Sequence, residues 1–425
     1  MTLSPRGCAL SRRALLGSAA AAAALPVVPS GAARAQAAGG AAVVKIGVLN
    51  DMSGPYRDVS GPTSAACVRQ AVEEFGDRSG PGGFRVEVLA ADHQNKPDLG
   101  ASIARQWLDR DGVDLIVDVG NSAVALAVGG VCREKDRAYV NSTGGTTELT
   151  GRQCAPTTVH WTYDTWMLAH STGAAMVKAG GDSWFFITAD YAFGTALERD
   201  TAGFVQAAGG KVLGGIRHPF PGTTDFSSFL LQAQASGAKV IGLCNAGDDT
   251  VNTIKQAAEF GVTRRGTKLA GMLLFINDVH ALGLAAAQGL VLTESFYWDL
   301  NERTRAFTRR VLPKTGGNRP AMSHAGCYAG VLHYLKAVAS MGAAEAKKSG
   351  AATVARMKAM PTDDDAFGPG TIREDGRKLH PAYLFEVKRP EESRGPWDYY
   401  KLVATTPAGE AFRPLKDGGC PMVRA

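Results

Sequence analysis

The chain has 425 residues, of which 45% are hydrophobic and 20% charged, with 46 Lys and Arg against 40 Asp and Glu. This length is enough for two lobes. The excess basic residues are not clustered, which argues against a nucleic-acid-binding surface.

Residues 1–37 have the pattern of an export leader. Arg12 and Arg13 precede an apolar run from Leu15 to Val28, and residues 33–37 offer small residues to a signal peptidase. A charged start, an apolar run and an A-x-A end describe a signal peptide. The arginine pair favours the twin-arginine (Tat) route, and the Sec route is the alternative because Gly17 lies where Tat leaders often carry a Lys. The alternative is a membrane anchor, but a spanning helix needs roughly 20 apolar residues and this run has 14. We therefore expect a cleaved leader and a periplasmic protein.

Removal of the leader changes the charge balance. Without its four arginines, the rest of the chain has 42 basic residues against 40 acidic ones. No later segment is long and apolar enough to span a bilayer. We expect a monomer without stable membrane insertion and without a nucleic-acid partner.

Short apolar runs alternate with segments that carry apolar residues at helical spacing. Strands that are continuously apolar and separated by helices predict parallel sheets covered on both faces. The number of units exceeds what one open sheet usually needs, so we predict an α/β fold with two Rossmann-like lobes. The predicted strands are 43–49, 84–90, 113–119, 137–141, 184–188, 211–216, 239–244, 268–274 and 290–294. The predicted helices between them are 61–76, 97–110, 122–135, 164–180, 194–208, 226–236 and 249–260.

The last part of the chain has a different pattern. Helices are predicted at 301–312 and 324–341, and a Pro/Gly/Asp loop follows at 361–370. Extended segments at 380–388 and 397–403 predict an antiparallel hairpin. Breaks near 160–164 and 288–289 divide the chain into a predicted first lobe, 43–161 with 290–365, and a predicted second lobe, 162–289 with 366–420.

Seven cysteines are present, and none forms a C-x-x-C or Cys/His metal-binding pattern. An oxidising compartment favours a disulfide. Cys132 ends a helical pattern and Cys154 lies 22 residues further on, past one strand and a loop, so we predict this pair. The alternative is buried thiols, which suits Cys244 at the end of an apolar run.

The sequence carries no convincing catalytic or cofactor motif. Gly120 to Val124 fails the G-x-S-x-G pattern at its last position, and there is no Walker A, H-E-x-x-H or calcium-loop pattern. The eight histidines are scattered along the chain. We therefore expect a protein that is not an enzyme, with no cofactor and no metal. A periplasmic amide or ester hydrolase is the disfavoured alternative. Hydrolysis of a bound amide or ester would support it.

Two predicted strands of the first lobe end in polar loops. They are Gly120 to Ser122, after strand 113–119, and Ser142 to Thr147, after strand 137–141. Hydroxyls and unpaired N–H groups at helix starts favour an anion, and the glycines of the second loop let the backbone approach a ligand closely. We predict a carboxylate site at these loops, with an ordinary N-cap as the alternative for Ser122.

The second lobe offers aromatic rings and carboxylates at its strand ends. Tyr191 and Phe193 follow its first predicted strand, and Asp248 and Asp249 follow its third. Ligands gather at this edge of a parallel sheet. The alternatives are core packing for Phe193 and an N-cap for Asp248.

Further aromatic residues are candidates for a cleft. Phe296, Tyr297 and Trp298 are consecutive, and three neighbouring rings cannot all face one core. At least one of them is therefore expected at the surface or in the cleft. Tyr163 lies near the first crossover between the lobes. Tyr56 ends the turn after the first strand, where it either lines the cleft or rests on the surface.

Several short motifs follow one another in a recognisable order. They are Lys45-Ile46-Gly47-Val48 with Ser53-Gly54-Pro55, Ala91-Asp92-His93-Gln94, Glu148-Leu149-Thr150, Asp190-Tyr191-x-Phe193-Gly194, Asp225-Phe226-Ser227 and Gln256-Ala257-Ala258-Glu259-Phe260-Gly261. In this order the chain resembles, over roughly 43–420, the periplasmic substrate-binding proteins of ABC transporters in the branched-chain amino acid class. The resemblance implies a type I two-lobed fold with three crossovers, closure on a small-molecule ligand, and docking to an inner-membrane permease with a cytoplasmic ATPase.

The resemblance also implies roles for individual residues. Ser122 or Ala123, together with the loop of Thr143, Gly144 and Gly145, match the positions that hold the carboxylate of an amino acid. Phe193 and Tyr191 belong to the motif whose aromatic residue, at Phe193, covers the ligand. Asp249, or else Asp248, matches an acid that pairs with the ligand's ammonium. Cys132–Cys154 is similar to a bridge that some relatives carry.

Two positions depart from the amino-acid pattern. Trp161 replaces a common arginine, and the stretch from Phe296 through Trp298 is similar to that of a subgroup from soil and photosynthetic bacteria, some of which take aromatic acids. The expected ligand is therefore a small carboxylate, either a branched-chain or hydrophobic amino acid or an aromatic acid. A ligand-sensing periplasmic receptor on the same fold is the alternative function.

Overall fold

Strands and helices alternate from Ala42 to Glu294, as the apolar pattern predicts. The computed structural model describes residues 41–76 and 83–424. The predicted leader at 1–37 lies outside the described residues and stays a prediction. Within the described ranges, no helix has both the length and the apolar character needed to cross a membrane.

The first lobe is a parallel sheet with helices on both faces. Its strands are β1 (Ala42–Asn50), β2 (Phe84–Asp92), β3 (Leu115–Asp118), β4 (Ala138–Asn141) and β5 (Thr158–His160), and its helices are α1 (Gly61–Phe75), α2 (Pro97–Gln106, continued by a π-helical turn at Trp107–Asp111) and α3 (Ser122–Glu134). The strand order is β2-β1-β3-β4-β5. Because successive side chains point to opposite faces, Ile116 and Val117 of β3 are buried in separate apolar clusters.

The second lobe repeats this construction. A predicted helix at 164–180 is divided into α4 (Thr165–Leu168), a π-helical turn (Ala169–Gly173) and α5 (Ala174–Lys178). The strands and helices that follow are β6 (Ser183–Ala189), α6 (Ala192–Ala207), β7 (Lys211–His218), α7 (Ser227–Ala235), β8 (Val240–Cys244), α8 (Asp248–Glu259), β9 (Lys268–Gly271), α9 (Ile276–Leu282) and α10 (Leu284–Ala287). The parallel order β7-β6-β8-β9 confirms the predicted α/β fold.

The remaining elements follow the second lobe along the chain. They are β10 (Val291–Glu294), α11 (Glu302–Val311), α12 (Met322–Met341), α13 (Ala343–Ala346), α14 (Gly350–Lys358), β11 (Thr371–Ile372), β12 (Lys378–Leu379), β13 (Ala382–Val387) and β14 (Tyr400–Thr406). Short 3-10 helices lie at Thr147–Thr150, Val262–Arg265, Leu312–Lys314, Pro390–Glu392 and Leu415–Gly418. The predicted antiparallel hairpin is confirmed as β13 and β14, and β10 joins it in the order β10-β13-β14. The ranges 290–365 and 366–420, assigned to different lobes from the sequence, are therefore joined by strand pairing; the lobe boundaries stay a prediction.

The predicted Cys132–Cys154 disulfide is wrong. Cys154 is bonded to Cys420, with the two Cα atoms 5.7 Å apart, and Cys132 is a buried free thiol. The end of the chain returns to the first lobe, where Arg413 donates a 3.1 Å hydrogen bond to the carbonyl oxygen of Thr147. This return brings Cys420 beside Cys154 across a separation of 266 residues, which spacing along the sequence does not indicate.

Candidate ligand-binding cleft

The turn after β1 is organised by one buried carboxylate. Asp51 accepts hydrogen bonds from the backbone N–H groups of Gly54 at 2.7 Å and Tyr56 at 2.9 Å, and from the side-chain amide of Asn95 at 2.6 Å. Several donors around one fully buried carboxylate fix the path of this turn. The turn therefore holds Tyr56 at the edge of the first lobe, facing the second lobe.

A second buried carboxylate lies behind the polar loops. Asp118, at the end of β3, accepts a hydrogen bond from the Asn50 side-chain amide at 2.9 Å and a short one from the Thr143 hydroxyl. Burial raises the pKa of Asp118, and the bonds from Thr143 and Asn50 oppose that shift. The backbone is left-handed at Asp118 (φ 85°) and at Val119 (φ 56°), a conformation that a β-branched residue rarely adopts outside functional sites.

The start of α3 is already partly capped. The Asn121 side chain accepts hydrogen bonds from the N–H groups of Ala123 at 2.9 Å and Val124 at 3.1 Å, so Asn121 is the N-cap rather than Ser122. The Ser122 hydroxyl instead accepts from the N–H of Thr146 at 3.2 Å, which ties the two polar loops together. A hydroxyl that accepts in this way keeps its own hydrogen to donate.

A cleft lies between the strand ends of the two lobes. The side that we name the first wall consists of Tyr56, Val59, Gly120, Thr143 and, from the first crossover, Tyr163. The side that we name the second wall consists of Tyr191, Phe193, Ala246, Leu273 and Phe275. The space left between them is about 10 Å³, close to that of one water molecule, because aromatic rings fill it.

The two walls touch in this closed arrangement. The hydroxyl oxygens of Tyr56 and Tyr191 are 2.6 Å apart, and the N–H of Asp248 donates to the carbonyl oxygen of Pro55 at 3.1 Å. Gly247 has φ +57°, and a Cβ there would overlap the Pro55 carbonyl oxygen. Glycine at 247 is thus needed both for its backbone conformation and for the close approach of the lobes.

Asp249 lies behind the second wall as a buried acid with one unpaired carboxylate oxygen. Its Oδ2 atom has no hydrogen-bond partner among the described residues. Burial, and then the neighbouring Asp248, raise its pKa to about 7. His218 Nδ1 is 3.8 Å from Oδ2, but burial lowers the pKa of His218 and the same nitrogen lies 3.2 Å from the carbonyl oxygen of Pro219. We conclude that His218 is neutral and does not balance the charge of Asp249.

Asp249 also acts on the phenols of the cleft. Burial raises the pKa of Tyr191, and Asp249 contributes to that rise. The pKa of Tyr56 is raised by burial first, then by Tyr191, and to a lesser extent by Asp249. The hydroxyl pair between the lobes is therefore neutral at physiological pH.

The structure brings only part of the predicted site together. Of the predicted residues, Tyr56, Thr143, Tyr163, Tyr191 and Phe193 line the cleft. Gly145 touches its edge, since a Cβ there would lie 2.8 Å from Phe193 and 2.9 Å from Tyr163. Contact of these residues with a ligand stays a prediction.

Other predicted residues lie behind the first wall. Ser122 is buried at the start of α3, and the N–H of Ala123 is taken by Asn121. Gly144 packs against α3, because a Cβ there would lie 2.9 Å from that of Ala125. These positions support the polar loops but do not line the cleft.

Phe296 and Trp298 do not reach the cleft. Phe296 is fully buried, with its ring 5.8 Å from that of Phe307. The Trp298 indole donates to the carbonyl oxygen of Trp397 at 2.8 Å, and the Arg319 guanidinium lies 3.7 Å from its ring centroid. The pairing of β10 with β13 directs this segment away from the cleft, which corrects the prediction.

Sequence reasoning missed Val59, Ala246, Leu273 and Phe275. The last two follow β9, which ends at Gly271 rather than at 274. An apolar run gives the same pattern whether it continues a strand or turns into a cleft. Ala246 lies in the polar loop after β8, and this loop was the sequence feature from which its place in the cleft could have been predicted.

The described residues offer no evident metal centre. Across 41–76 and 83–424, no group of three or more His, Cys, Asp or Glu side chains is arranged to hold a metal ion. The polar groups of the cleft are instead phenols, one threonine hydroxyl and backbone amides, with the carboxyl of Asp249 behind them. Such a set can orient a small organic molecule.

Comparison with protein families gives one model, described as periplasmic binding protein, which matches residues 43–395. Among curated proteins, none matches the chain. A solved periplasmic binding protein of Burkholderia mallei is 49% identical, with 90% of this chain and 99% of that chain covered and a TM-score of 0.85.

Two other solved structures are similar to this chain, and each is described with a ligand or a ligand class. A branched chain amino acid ABC transporter periplasmic ligand-binding protein of Burkholderia xenovorans LB400 is 37% identical, with 89% of this chain and 99% of that chain covered and a TM-score of 0.77. A solute binding protein of an ABC transporter from R. palustris, in complex with benzoate, is 21% identical, with 86% and 97% covered and a TM-score of 0.76. At that lower identity the likeness concerns the fold alone.

Proposed function

The chain belongs to the periplasmic binding protein family, and from this premise we propose that it captures a hydrophobic amino acid between its lobes and delivers it to an ABC permease. Like the solute-binding proteins of that family, it is not an enzyme. The partners in this proposal are the small-molecule ligand and a membrane permease driven by a cytoplasmic ATPase.

The unpaired Oδ2 oxygen of Asp249 is the observation that decides the choice of ligand. An ionised carboxylate that is buried without a partner is costly, and a ligand ammonium would supply that partner. Hydrogen bonds to charged groups contribute roughly 1.5–3 kcal/mol each. An acid without an amino group would instead add a second negative charge near Asp249.

The aromatic rings of the cleft favour an apolar ligand side chain. Tyr163 packs edge-on against Phe275, with ring centroids 5.9 Å apart, and Phe193 lies against Gly145. Such rings can enclose a branched or aromatic ligand side chain, and they offer few hydrogen-bonding partners to a polar one. The ligand carboxylate would face Gly120 near the start of α3, where the helix dipole favours negative charge, because the Thr143 hydroxyl already donates its hydrogen to Asp118.

An aromatic acid is the second candidate ligand. The pKa of Asp249 is about 7, so a substantial fraction of this carboxyl is neutral near pH 7. Protonated Asp249 would not repel a benzoate-like acid. On this alternative, affinity for the acid falls as pH rises through 7, whereas affinity for an amino acid rises over the same range.

Thermal-shift screening of the purified mature protein tests the proposal. The panel contains leucine, isoleucine, valine and phenylalanine, together with benzoate and cinnamate. A ligand at 100 times its dissociation constant should add about 2.7 kcal/mol of stability. We expect the amino acids to raise the melting temperature, and a protein that responds to neither class would contradict the proposal.

Delivery to a permease is tested separately from binding. The liganded protein, added to its permease and ATPase in vesicles, should stimulate ATP hydrolysis. Binding without such stimulation would favour the alternative role of a ligand-sensing receptor.

A further inference from the structure

Phe220 lies outside the cleft and stacks on two of its tyrosines. Its ring centroid is 5.1 Å from that of Tyr56, with an interplanar angle of 22°, and 4.5 Å from that of Tyr191, with an angle of 18°. Tyr56 belongs to the first wall and Tyr191 to the second. Phe220 itself is not among the described side chains that line the cleft.

The three rings and the hydroxyl pair form one unit, which we name the Phe220 stack. Tyr56 and Tyr191 bring their hydroxyl oxygens to 2.6 Å while both rings lie nearly parallel to Phe220. Stacked aromatic pairs are stabilising beyond the area that they bury. The contact of Phe220 with both rings therefore restricts the two phenols to the orientation in which their hydroxyls meet.

Opening of the cleft would break only one of the two ring contacts of Phe220. Phe220 follows β7 and Tyr191 follows β6, and these strands are paired in the same sheet. Their stack is therefore internal to the second lobe and survives separation of the lobes. The contact with Tyr56 joins the lobes and must break before a ligand leaves.

We propose that Phe220 is a positioning residue that clamps Tyr56 onto Tyr191 when the lobes close, and that it thereby sets the residence time of the bound ligand. The inference rests on the proposed function, since it assumes that a ligand is held in this cleft. In the proposal, the ligand-free protein exchanges between the open and closed forms, and a ligand enters the open form, in which Tyr56 is not stacked. Loss of the clamp therefore acts on dissociation more than on association.

Stopped-flow kinetics with L-phenylalanine and with benzoate as probes test the clamp. In Phe220→Leu, which keeps an apolar side chain but loses the ring, the dissociation rate should rise roughly 2- to 13-fold, the equivalent of one aromatic pair. The association rate should stay within about twofold of the native value. Phe220→Tyr keeps the ring and should restore slow dissociation.

Phe229 provides the matched control. It is another half-buried phenylalanine of the second lobe, and its ring contacts are with His218 and Phe226 rather than with the first lobe. Phe229→Leu should leave the dissociation rate unchanged. The clamp is overturned if Phe220→Leu dissociates at the native rate, or if Phe229→Leu dissociates as fast as Phe220→Leu.

A measurement without ligand separates the clamp from the ligand assignment. Small-angle X-ray scattering of the ligand-free proteins should give a larger radius of gyration for Phe220→Leu than for the native protein and Phe229→Leu. If neither L-phenylalanine nor benzoate binds, the proposed ligand class is wrong. The comparison of the ligand-free radii of gyration still tests whether Phe220 clamps the lobes. Equal radii for the three proteins would overturn it.

Discussion

The first and second walls of the cleft differ in how the buried carboxyls behind them are paired. Behind the first wall, Asp51 and Asp118 each accept hydrogen bonds from several groups of their own lobe. Behind the second wall, Asp249 keeps an oxygen without a partner among the described residues. The first wall is thus fixed by its own lobe, and under the proposed function the second wall leaves one interaction for the ligand to complete.

Removal of Asp51 should have the largest effect, because it dismantles the first wall. Asp51→Ala leaves the N–H groups of Gly54 and Tyr56 and the amide of Asn95 without their acceptor. Each unsatisfied buried donor costs about 1–3 kcal/mol, so the free energy of unfolding should fall by about 4 kcal/mol in urea denaturation. Asp58→Ala, at an exposed acid near Arg57, should change it by less than about 0.5 kcal/mol. Similar losses in both variants would show that the first wall is not held by Asp51.

Gly247→Ala should prevent the walls from meeting. A Cβ at Gly247 overlaps the Pro55 carbonyl oxygen, so closure should become less favourable by about 3 kcal/mol, or about 100-fold in ligand affinity. Gly237→Ala is the control, because Gly237 has φ +69° with nothing within 4 Å of its Cβ position. Isothermal titration should show weak binding in the first variant only. Equal affinities in the two variants would mean that binding does not need this contact.

Asp249→Asn should flatten the dependence of stability on pH. The folded pKa of Asp249, about 7, lies above the ordinary aspartate value of 3.8, so between those pH values the folded state binds more protons than the unfolded state. Its contribution to stability is present below about pH 4 and is lost as pH rises through 7. We therefore expect the ligand-free variant to be more stable than the native protein by about 2 kcal/mol at pH 8, with little difference at pH 4.

Denaturation at several pH values measures this difference. Asp278, with a pKa of about 7, and Glu294, with a pKa of about 8, are also raised by burial and lower the stability of both proteins alike over this range. The difference between the native protein and the variant therefore isolates Asp249. A constant difference from pH 4 to pH 8 would contradict the raised pKa.

Thr143→Val should have the smallest effect, since it removes one hydrogen bond from a paired carboxyl. The Thr143 hydroxyl stabilises ionised Asp118 and opposes the rise of its pKa caused by burial. The variant should lose about 1.5 kcal/mol of stability where Asp118 is ionised, and less as pH falls and Asp118 is protonated. Thr143→Ser keeps the hydroxyl and should behave like the native protein. A loss independent of pH would point to packing rather than to the hydrogen bond.

The fold was largely predictable because its signals are local. The strand predicted at 43–49 is β1, Ala42–Asn50, and the helix predicted at 122–135 is α3, Ser122–Glu134. Apolar runs and helical spacing describe such elements without knowledge of their partners. The same locality explains the error at 268–274, where the strand ends at Gly271 and the apolar run continues into the cleft.

The cleft was predictable only where it follows parallel strand ends. Thr143 and Tyr191 line it because the carboxyl ends of parallel strands meet at one edge. Phe296 was assigned wrongly because its position depends on the pairing of β10 with β13, which joins residues far apart in sequence. The Cys154–Cys420 bond depends likewise on a distant return of the chain.

The contacts of Phe220 could not be predicted from local sequence either. It follows an edge strand, and nothing in its sequence neighbourhood indicates that it stacks on Tyr56 of the other lobe. Contacts across the cleft depend on the closed arrangement of two separately folded sheets. Local patterns cannot supply that arrangement.

The most direct test of the account compares two ligands that differ only in the ammonium group. Isothermal titration of the mature protein with L-phenylalanine and with 3-phenylpropanoate measures what Asp249 contributes to recognition. If the ligand completes the unpaired second wall, L-phenylalanine should bind roughly 10- to 150-fold more tightly, the equivalent of one charged hydrogen bond, and Asp249→Asn should remove that preference. Equal affinities in the native protein, or tighter binding of 3-phenylpropanoate, would contradict the account.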